Sequence, residues 1–395
     1  MRLKAISELR KILLKELSAC VKCGSCHVLC PLYKNFKTEF SGMRGKIAVL
    51  QAIEEGNKIP HADVAKILEN CLGCLGCKAS CPNSVNTDLI RFLWKFLAEG
   101  KPRNTEFTWT LSDSDFVPFP CRGRAHVLSE VEGCPTRANP RERKDPESKP
   151  LFFSSSGNDE LIAILKEILS RLGEQAHFLQ ISSLTKMRAR HPSTSLRTCA
   201  LPLRSPRNFN FKNRISFTHE LLKKFSELKP KKIVFLNPDE LYIFKESYRI
   251  FDLTDEEKQI IDNCKDIFSY LNEKDFLIRR RFPGKYLLID SCTLARGLKI
   301  KTPQRKILEK ILEHPPLELA KDSFFNCLPD SFSKNKFDFP AASVEALSQE
   351  IRQNKCDGII TTCTTCFFPG DQTLGEFRKK IQFLNLLKLL NESMG

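Results

Sequence analysis

Hydrophobic residues recur at helical spacing throughout the first hundred residues. Apolar positions three and four residues apart predict amphipathic helices at residues 6–17, 45–55, 61–68 and 87–99. In the last of these helices we interpret Trp94 and its aromatic neighbours as core packing. The pattern therefore predicts a small helical domain over residues 1–100.

The pattern changes at residue 149, where short apolar runs begin to alternate with amphipathic stretches. We predict strands at 149–153, 176–181, 232–236, 286–289 and 358–361. We predict helices at 159–171, 218–228, 265–272, 303–313, 343–354 and 376–391. The order occurs twice, which indicates an internal duplication with halves at 149–282 and 283–395. The predicted fold class is an α+β multidomain chain, in which a helical N-terminal domain precedes two α/β domains.

Two segments lack periodicity. Residues 101–148 are predicted to be a linker or insert, since their second half is rich in Arg, Glu and Pro. A second insert is predicted at about 186–212, where basic residues are frequent and acidic residues are absent. Residues 186–214 carry eight basic side chains, half of the formal net charge of +16. No recognition helix or aromatic stacking pattern accompanies this charge, so we expect no nucleic-acid partner.

Composition narrows the class of protein. The chain has 395 residues, of which 41% are hydrophobic and 28% charged, so we expect two or three globular domains and exclude a disordered or fibrous chain. We expect no transmembrane segment, because no apolar run approaches the ~20 residues that cross a bilayer. The first ten residues mix charged with apolar side chains, unlike a signal peptide. We therefore expect a cytoplasmic protein, with peripheral association with the inner face of the membrane as an alternative.

The 17 cysteines of a cytoplasmic chain indicate metal binding rather than disulfides. Eight of them form two copies of the pattern C-x2-C-x2-C-x3-C-P. The first copy contains Cys20, Cys23, Cys26 and Cys30, and the second contains Cys71, Cys74, Cys77 and Cys81. This spacing is typical of bacterial ferredoxins that bind [4Fe–4S] clusters. We expect Gly24, Gly73 and Gly76 to let the backbone approach the clusters closely.

The fourth cysteine of such a motif ligates the cluster of the other motif, because it begins the next helix and points away from its own three. We therefore assign two clusters, one to Cys20, Cys23, Cys26 and Cys81, and the other to Cys71, Cys74, Cys77 and Cys30. The alternative is a pair of zinc sites, which would not need the repeated fourth cysteine and its proline. We expect His27 to be a solvated or supporting residue rather than a ligand.

Further cysteines follow strands of the second α/β half. Cys292 follows the strand at 286–289, Cys363 and Cys366 follow the strand at 358–361, and Cys327 lies between them. Loops at the carboxyl ends of parallel strands meet at one edge of a sheet. We therefore predict a four-cysteine site for a further cluster or zinc, with a decayed site as the alternative.

The first half lacks these ligands. Alignment of the predicted strands places Ser156, Asn237 and Glu240 opposite Cys292, Cys363 and Cys366. Hydroxyl, amide and carboxylate groups are poor ligands for soft metals. We therefore expect the first half to be structural only.

The paired cysteine motifs, with the segment SGMRGK at 41–46 between them, resemble the glycolate oxidase iron–sulfur subunit and related lactate-utilisation and heterodisulfide reductase proteins. The resemblance covers nearly all the chain except 121–148 and about 186–212. It implies a two-cluster ferredoxin domain followed by two cysteine-rich (CCG) domains, of which the one at 149–282 is degenerate. The match at the second CCG domain is partial, because Asn326 stands where the family has the first cysteine of its Cys-Cys-Gly.

The resemblance implies an electron-transfer subunit without catalytic residues of its own. A partner FAD-linked dehydrogenase would oxidise a 2-hydroxy acid such as glycolate or D-lactate, and two [4Fe–4S] clusters would pass the electrons to a quinone or another acceptor. We expect the flavin on the partner, since the chain has no G-x-G-x-x-G run. The alternatives are a heterodisulfide reductase-like thiol–disulfide oxidoreductase, which Asn326 argues against, and a zinc-dependent binding protein.

Overall fold

A computed structural model describes residues 2–98, 149–155, 159–181, 211–318, 339–363 and 381–395. The expected linker at 101–148 and most of the expected basic insert lie outside these ranges. The described chain consists of N-terminal helices followed by two parallel β-sheets with helices packed on them.

The N-terminal part contains a short strand and seven helices. They are β1 (Arg2–Leu3), α1 (Ile6–Ser18), α2 (Ser25–Val28), α3 (Pro31–Phe36), α4 (Met43–Glu54), α5 (His61–Glu69), α6 (Gly76–Ser80) and α7 (Thr87–Ala98). The four long helices confirm the predicted ones to within two residues. Leu9, Leu13 and Leu17 lie on one buried face of α1, which packs against α4 and α7. Trp94 is buried in the same core, as expected.

Strands and helices alternate in the first α/β half. Its elements are β2 (Leu151–Ser155), α8 (Asp159–Arg171), β3 (His177–Ile181), α9 (Phe211–Leu228), β4 (Ile233–Phe235), α10 (Pro238–Ser247), β5 (Phe251–Asp252), α11 (Asp255–Asp262), β6 (Cys264–Asp266) and α12 (Ile267–Asn272). Four of the strands form a parallel sheet in the order β3-β2-β4-β6. The remaining strand, β5, pairs antiparallel with β1 and so ties the start of the chain to this half.

The second half repeats the arrangement. Its elements are β7 (Tyr286–Ile289), a π-helical turn (Thr293–Leu298), α13 (Thr302–Ile311), β8 (Leu317–Glu318), α14 (Phe339–Asn354), β9 (Gly358–Thr361), β10 (Gln382–Asn385) and α15 (Leu386–Met394). The parallel sheet has the order β8-β7-β9-β10. When only the strands of each sheet are numbered along the chain, both sheets have the strand order 2-1-3-4, as expected for a repeated unit.

The two halves share much of one apolar core. Alternation along β7 directs Tyr286 and Leu288 into that core, which also contains the aromatic residues of the first sheet. Leu287 and Ile289 face the other way, toward α14. The last helix, α15, packs on α8 of the first half, where Asn391 Nδ2 donates to Glu167 Oε2 at 2.7 Å. The sheets therefore form one continuous body.

Several predicted elements differ from the structure at their ends. The closing helix predicted at 376–391 is wrong, because residues 382–385 pair with β9 as strand β10. The helix begins only at Leu386, where the Asn385 side chain accepts a hydrogen bond from the Leu387 N–H at 2.9 Å. Likewise, Asp266 caps α12, so the first two residues of the predicted 265–272 helix belong to β6. Helix α9 begins at Phe211, so the last two residues of the expected insert are helical.

The helical part is packed against the α/β body. Lys4 Nζ lies 2.9 Å from Asp252 Oδ1, beside the pairing of β1 with β5. Ile250 and Phe251 are buried in the core of the N-terminal helices. Within the described ranges, no helix is both long enough and apolar enough to cross a membrane.

Candidate iron–sulfur centres

The two cysteine loops have matching backbone conformations. The third and fifth residues of each motif are left-handed: Lys22 (φ 55°) and Gly24 (φ 84°) in the first, Gly73 (φ 62°) and Leu75 (φ 61°) in the second. Left-handed residues at such spacing turn successive N–H groups toward one concavity, a conformation found at iron–sulfur and phosphate sites. Both loops therefore have the backbone shape that an anionic cluster requires.

The backbone of Gly76 hydrogen-bonds to the Cys74 thiol, so Gly76 lets the backbone approach this sulfur as expected. Gly76 is the first residue of α6, and Leu75 before it takes the left-handed conformation. The Leu75 side chain is buried in the core of the α/β body. We infer that this burial offsets the backbone strain, which glycine would avoid at the same position.

The eight motif cysteines line two adjoining cavities. The cavity that we call the outer cavity is lined by Cys20, Cys23, Cys26 and Cys81. The inner cavity is lined by Cys30, Cys71, Cys74 and Cys77. Each cavity thus has three cysteines of one motif and the fourth cysteine of the other. Met43, Cys77 and Thr87 line both cavities, so the two share a wall.

The fourth cysteines reach the opposite cavities from different local structures. Cys30 directly precedes α3, whose first residue is Pro31, as expected. Cys81 instead follows α6 and precedes a turn, and the next helix begins only at Thr87. The Val85 N–H donates to Cys81 Sγ at 3.4 Å, so the turn after Cys81 supplies a hydrogen bond to the sulfur. The expectation that the fourth cysteine begins a helix is wrong at Cys81.

Cys74 is buried, and six of the other motif cysteines are partly buried. Burial raises the pKa of Cys26 to about 11 and that of Cys74 to about 12, and it raises the pKa of Cys77 strongly as well. Cys23 is exposed, and its hydrogen bond with Ser25 lowers its pKa. The buried thiols are therefore protonated at neutral pH in the absence of metal, and ligation must release protons.

Each cavity also has an arginine beside its cysteine loop. Arg44 packs against Gly24, and Arg91 packs against Gly73. A Cβ atom added to Gly24 would lie 2.7 Å from Arg44, and one added to Gly73 would lie 3.3 Å from Arg91. The two guanidinium groups therefore occupy equivalent positions against the two loops. A positive charge at this place stabilises an anionic group in the cavity.

The inner cavity has the more buried positive charges. Arg91 donates to Asp88 Oδ1 at 2.8 Å, and both side chains are largely buried. Burial opposes the charge of Arg91, but Asp88 and Cys71 outweigh it and hold the pKa of Arg91 above its ordinary value. The buried Lys46 donates from Nζ to the Ser41 and Asn70 carbonyls at 3.1 and 2.5 Å. The sequence analysis missed these residues, since they are separated along the chain.

His27 is buried rather than solvated. Its ring stacks on Tyr33, with 3.7 Å between the ring centroids. The ring also packs closely against Gly42, where an added Cβ atom would lie 2.3 Å from Nε2 of His27. Burial lowers the pKa of His27 below its ordinary value. His27 therefore packs α2 against α3 and the start of α4, and it does not line either cavity.

The inner loop is docked on the α/β body. Lys78 Nζ lies 2.7 Å from Glu246 Oε1, and Asn86 Nδ2 donates to the other oxygen of Glu246 at 2.6 Å. The Tyr242 hydroxyl donates to Asp88 Oδ2 at 3.1 Å, which connects α10 to the Arg91 pair. The inner cavity therefore borders the body, and helix α10 supplies its contacts.

Arg296, in the π-helical turn, joins the inner loop to the C-terminal cysteines. One of its nitrogens lies 3.2 Å from the Cys74 carbonyl oxygen and 3.5 Å from Cys292 Sγ. The position next to Arg296 has room only for a glycine, because a Cβ atom on Gly297 would lie 2.6 Å from the Tyr242 ring. Cys292 is thus close to the inner cavity.

The structure brings two of the four C-terminal cysteines to neighbouring strand ends. Buried Cys292 follows β7 and buried Cys363 follows β9, where the strand order of the sheet changes direction. The Ser291 N–H donates to Thr362 Oγ1 at 2.8 Å and links the two loops. Cys327 and Cys366 lie outside the described residues, so the four-cysteine site stays a prediction. In the described parts of the chain, no group of three or more His, Cys, Asp or Glu side chains converges as the ligands of a single metal ion do.

The edge of the first sheet faces the same region. Asn237 caps α10 with its side chain, and the Asp239 carboxylate accepts a hydrogen bond from Thr293 Oγ1 at 2.8 Å. Glu240 is fully buried on the same helix. Ser156, which the alignment placed opposite Cys292, lies outside the described residues.

The family comparison identifies the class of the N-terminal part. Residues 16–85 match the family model of the 4Fe-4S dicluster domain. A segment of 85 residues is 38% identical to the glycolate oxidase iron-sulfur subunit of Escherichia coli (strain K12), covering 22% of this chain and 21% of that protein. A segment of 71 residues is 39% identical to the probable glycolate oxidase iron-sulfur subunit of Bacillus subtilis (strain 168), covering 18% of this chain and 16% of that protein.

These matches confirm the interpretation of the cysteine motifs as a ferredoxin-type [4Fe–4S] domain. The N-terminal part of the chain is homologous to the glycolate oxidase iron–sulfur subunits. The matched segments span about a fifth of the length of these relatives. The comparison therefore concerns the domain that contains both cavities.

Replacement of Glu246 by Gln is expected to lower the melting temperature of the cluster-loaded protein by about 5 °C, since breaking a largely buried ion pair costs about 3 kcal/mol. The change leaves the charge of Lys78 without its partner between the inner loop and α10. Anaerobic thermal unfolding followed by circular dichroism measures the shift. The matched control is Asp255→Asn, which removes an exposed ion pair with Lys258 and should cause almost no shift. Equal shifts in the two variants would contradict the docking role of Glu246.

Proposed function

We propose that the chain is the electron-transfer subunit of an oxidoreductase complex. A partner FAD-linked dehydrogenase, which oxidises a 2-hydroxy acid of the glycolate or D-lactate type, delivers electrons, and two [4Fe–4S] clusters pass them to a quinone or another acceptor. The complex lies in the cytoplasm or peripherally on the inner face of the membrane. The observation that carries the proposal is the pair of adjoining cavities, each lined by the first three cysteines of one motif and the fourth cysteine of the other.

In this proposal Cys20, Cys23, Cys26 and Cys81 bind the outer cluster, and Cys30, Cys71, Cys74 and Cys77 bind the inner one. The left-handed loops and the arginine beside each of them support the fit, because a thiolate-bound cluster is anionic. When bound, each cluster accepts and releases single electrons. The chain's own residues fix the clusters side by side, shield the inner one from water and offset its negative charge with Lys46 and Arg91.

The geometry supports an order of transfer. The outer cavity contains the exposed Cys23, whereas the inner cavity lies against the α/β body and near Cys292. Electrons would therefore pass from the surface through the outer cluster to the inner cluster beside the α/β body, or in the opposite direction along the same route. Arg296 spans the step from the inner loop to Cys292.

The C-terminal half is proposed to be a CCG-like domain with a further cluster or zinc at Cys292, Cys327, Cys363 and Cys366. The position of Cys292 and Cys363 at the switch point of a parallel sheet supports this site. The corresponding edge of the first half presents Asn237 and Glu240, which supports a structural role for that half.

Two observations support the proposal of a flavin-binding partner chain. The curated relatives are named as subunits of glycolate oxidase. The sequence has no G-x-G-x-x-G run that would bind the dinucleotide of FAD. An electron carrier with such relatives needs a second chain to supply the flavin.

Protein purified without oxygen is expected to contain about eight iron and eight sulfide ions in the ferredoxin-type part, since each [4Fe–4S] cluster takes four thiolates. Iron and acid-labile sulfide are measured per chain. To exclude iron at the C-terminal cysteines from the count, the same assay is run on the Cys292→Ser and Cys363→Ser double variant. Zinc without sulfide in the double variant would contradict the proposal.

The crosswise ligation is tested with single serine variants. Cys81→Ser should alter the EPR signal of the outer cluster, which it joins from the other motif, and Cys71→Ser should alter that of the inner cluster. Cys356→Ser is the control, because Cys356 lies after α14 and far along the chain from both motifs. If Cys81→Ser and Cys71→Ser changed the same signal, each motif would bind its own cluster and the exchange would be wrong.

A further inference from the structure

Exposed apolar side chains are concentrated around the first cysteine motif. In the described parts of the chain six large apolar side chains are exposed, and four of them belong to residues 21–40. We call these four the first-motif patch: Val21 (65% exposed), Val28 (53%), Phe36 (38%) and Phe40 (53%). The other two, Tyr248 and Leu277, lie in the α/β body. Such a concentration of exposed apolar side chains marks an interaction surface.

The patch lies on elements next to both cavities: Val21 and helix α2 line the outer cavity, and helix α3 lines the inner cavity through Pro31 and Leu32. Val21 is in the cysteine loop, Val28 ends α2, Phe36 ends α3, and Phe40 lies in the turn before α4. Arg44 connects them, since it lies against Gly24 and pairs with Glu39 next to Phe40. Of the eight motif cysteines, Cys23 in this loop is the exposed one. A partner bound at Val21, next to the exposed Cys23, would therefore lie beside the outer cavity.

Basic residues outnumber acidic ones in the segment 20–44 that carries the patch. Lys22, Lys34 and Lys37 are exposed between the apolar side chains. Glu39 is the only acidic residue from 20 to 44, and Arg44 is its ion-pair partner. An apolar centre with a basic rim is complementary to a surface with an apolar centre and an acidic rim.

We propose that the first-motif patch is the docking surface for an acidic redox protein that exchanges electrons with the outer cluster. This inference rests on the proposed function, because it requires a cluster in the outer cavity. The step transfers one electron, with no bond formed or broken: one centre is oxidised and the other is reduced by one electron. A protein surface fits better than an anionic membrane, because the four apolar side chains come from separate short elements rather than from one amphipathic helix.

The test uses the cluster-loaded full chain, reduced with dithionite and mixed in a stopped-flow instrument with oxidised plant plastocyanin, an acidic copper protein. The variants are Val28→Glu and Phe40→Glu, and the matched control is Leu277→Glu, which adds the same charge at an even more exposed apolar position outside the patch. The second-order rate constant should fall about tenfold in both patch variants and stay unchanged in the control. It should also fall with rising salt, whereas the rate with basic cytochrome c should not.

The remaining outcomes contradict either the proposed function, the docking surface or the choice of a protein partner. Iron, sulfide and EPR signals are measured for every variant. If the parent chain bound no cluster, the proposed function and this surface would both be wrong. If all variants bound clusters and reacted with plastocyanin at the parent rate, only the surface would be wrong. If the patch variants reacted normally but no longer sedimented with vesicles of phosphatidylcholine and phosphatidylglycerol, the patch would be a membrane contact instead.

Discussion

The placement of the fourth cysteine of each motif at the cavity of the other motif is the constraint on which the rest of this structure depends. Each cavity is completed by a residue of the other loop, so the loops must lie face to face although about fifty residues separate them. Helix α4 makes this arrangement possible, because Met43 lies in the shared wall while Arg44 and Lys46 point to opposite cavities. The apolar core formed by α1, α4, α5 and α7 then holds both loops in place.

The second loop connects this helical unit to the α/β body. Leu75 is buried in the core of the body, and the same residue has the left-handed backbone that shapes the loop. The Lys78–Glu246 ion pair fixes the surrounding backbone against α10, and the Arg296 contact with the Cys74 carbonyl oxygen fixes it against the π-helical turn. The inner cavity is therefore shaped by both parts of the protein, whereas the outer cavity opens toward the surface through Cys23. The two cavities therefore differ in exposure, one bordering the surface and the other bordering the α/β body.

Sequence reasoning found the features that have a local signature. The spacing of the cysteines predicted the 4Fe-4S domain that the family comparison confirms, and periodicity predicted the long helices and most strands of both sheets. It missed β10, because the segment 382–385 continues directly into an apolar helix and only pairing with β9 distinguishes it. It also missed Arg91 and Arg296, since a charged residue next to a cavity has no local pattern. Leu75 shows the same limit, as tertiary packing rather than propensity determines its conformation.

The central claim is that two clusters lie side by side in adjoining cavities, and low-temperature EPR of the fully reduced protein tests it most directly. Two paramagnetic clusters separated only by the wall of Met43, Cys77 and Thr87 must interact magnetically. The account predicts a spectrum with broadened, split lines that appears only when both clusters are reduced, and that reverts to a simple signal in Cys20→Ser protein with an empty outer cavity. A fully reduced spectrum equal to the sum of two isolated signals would contradict the account.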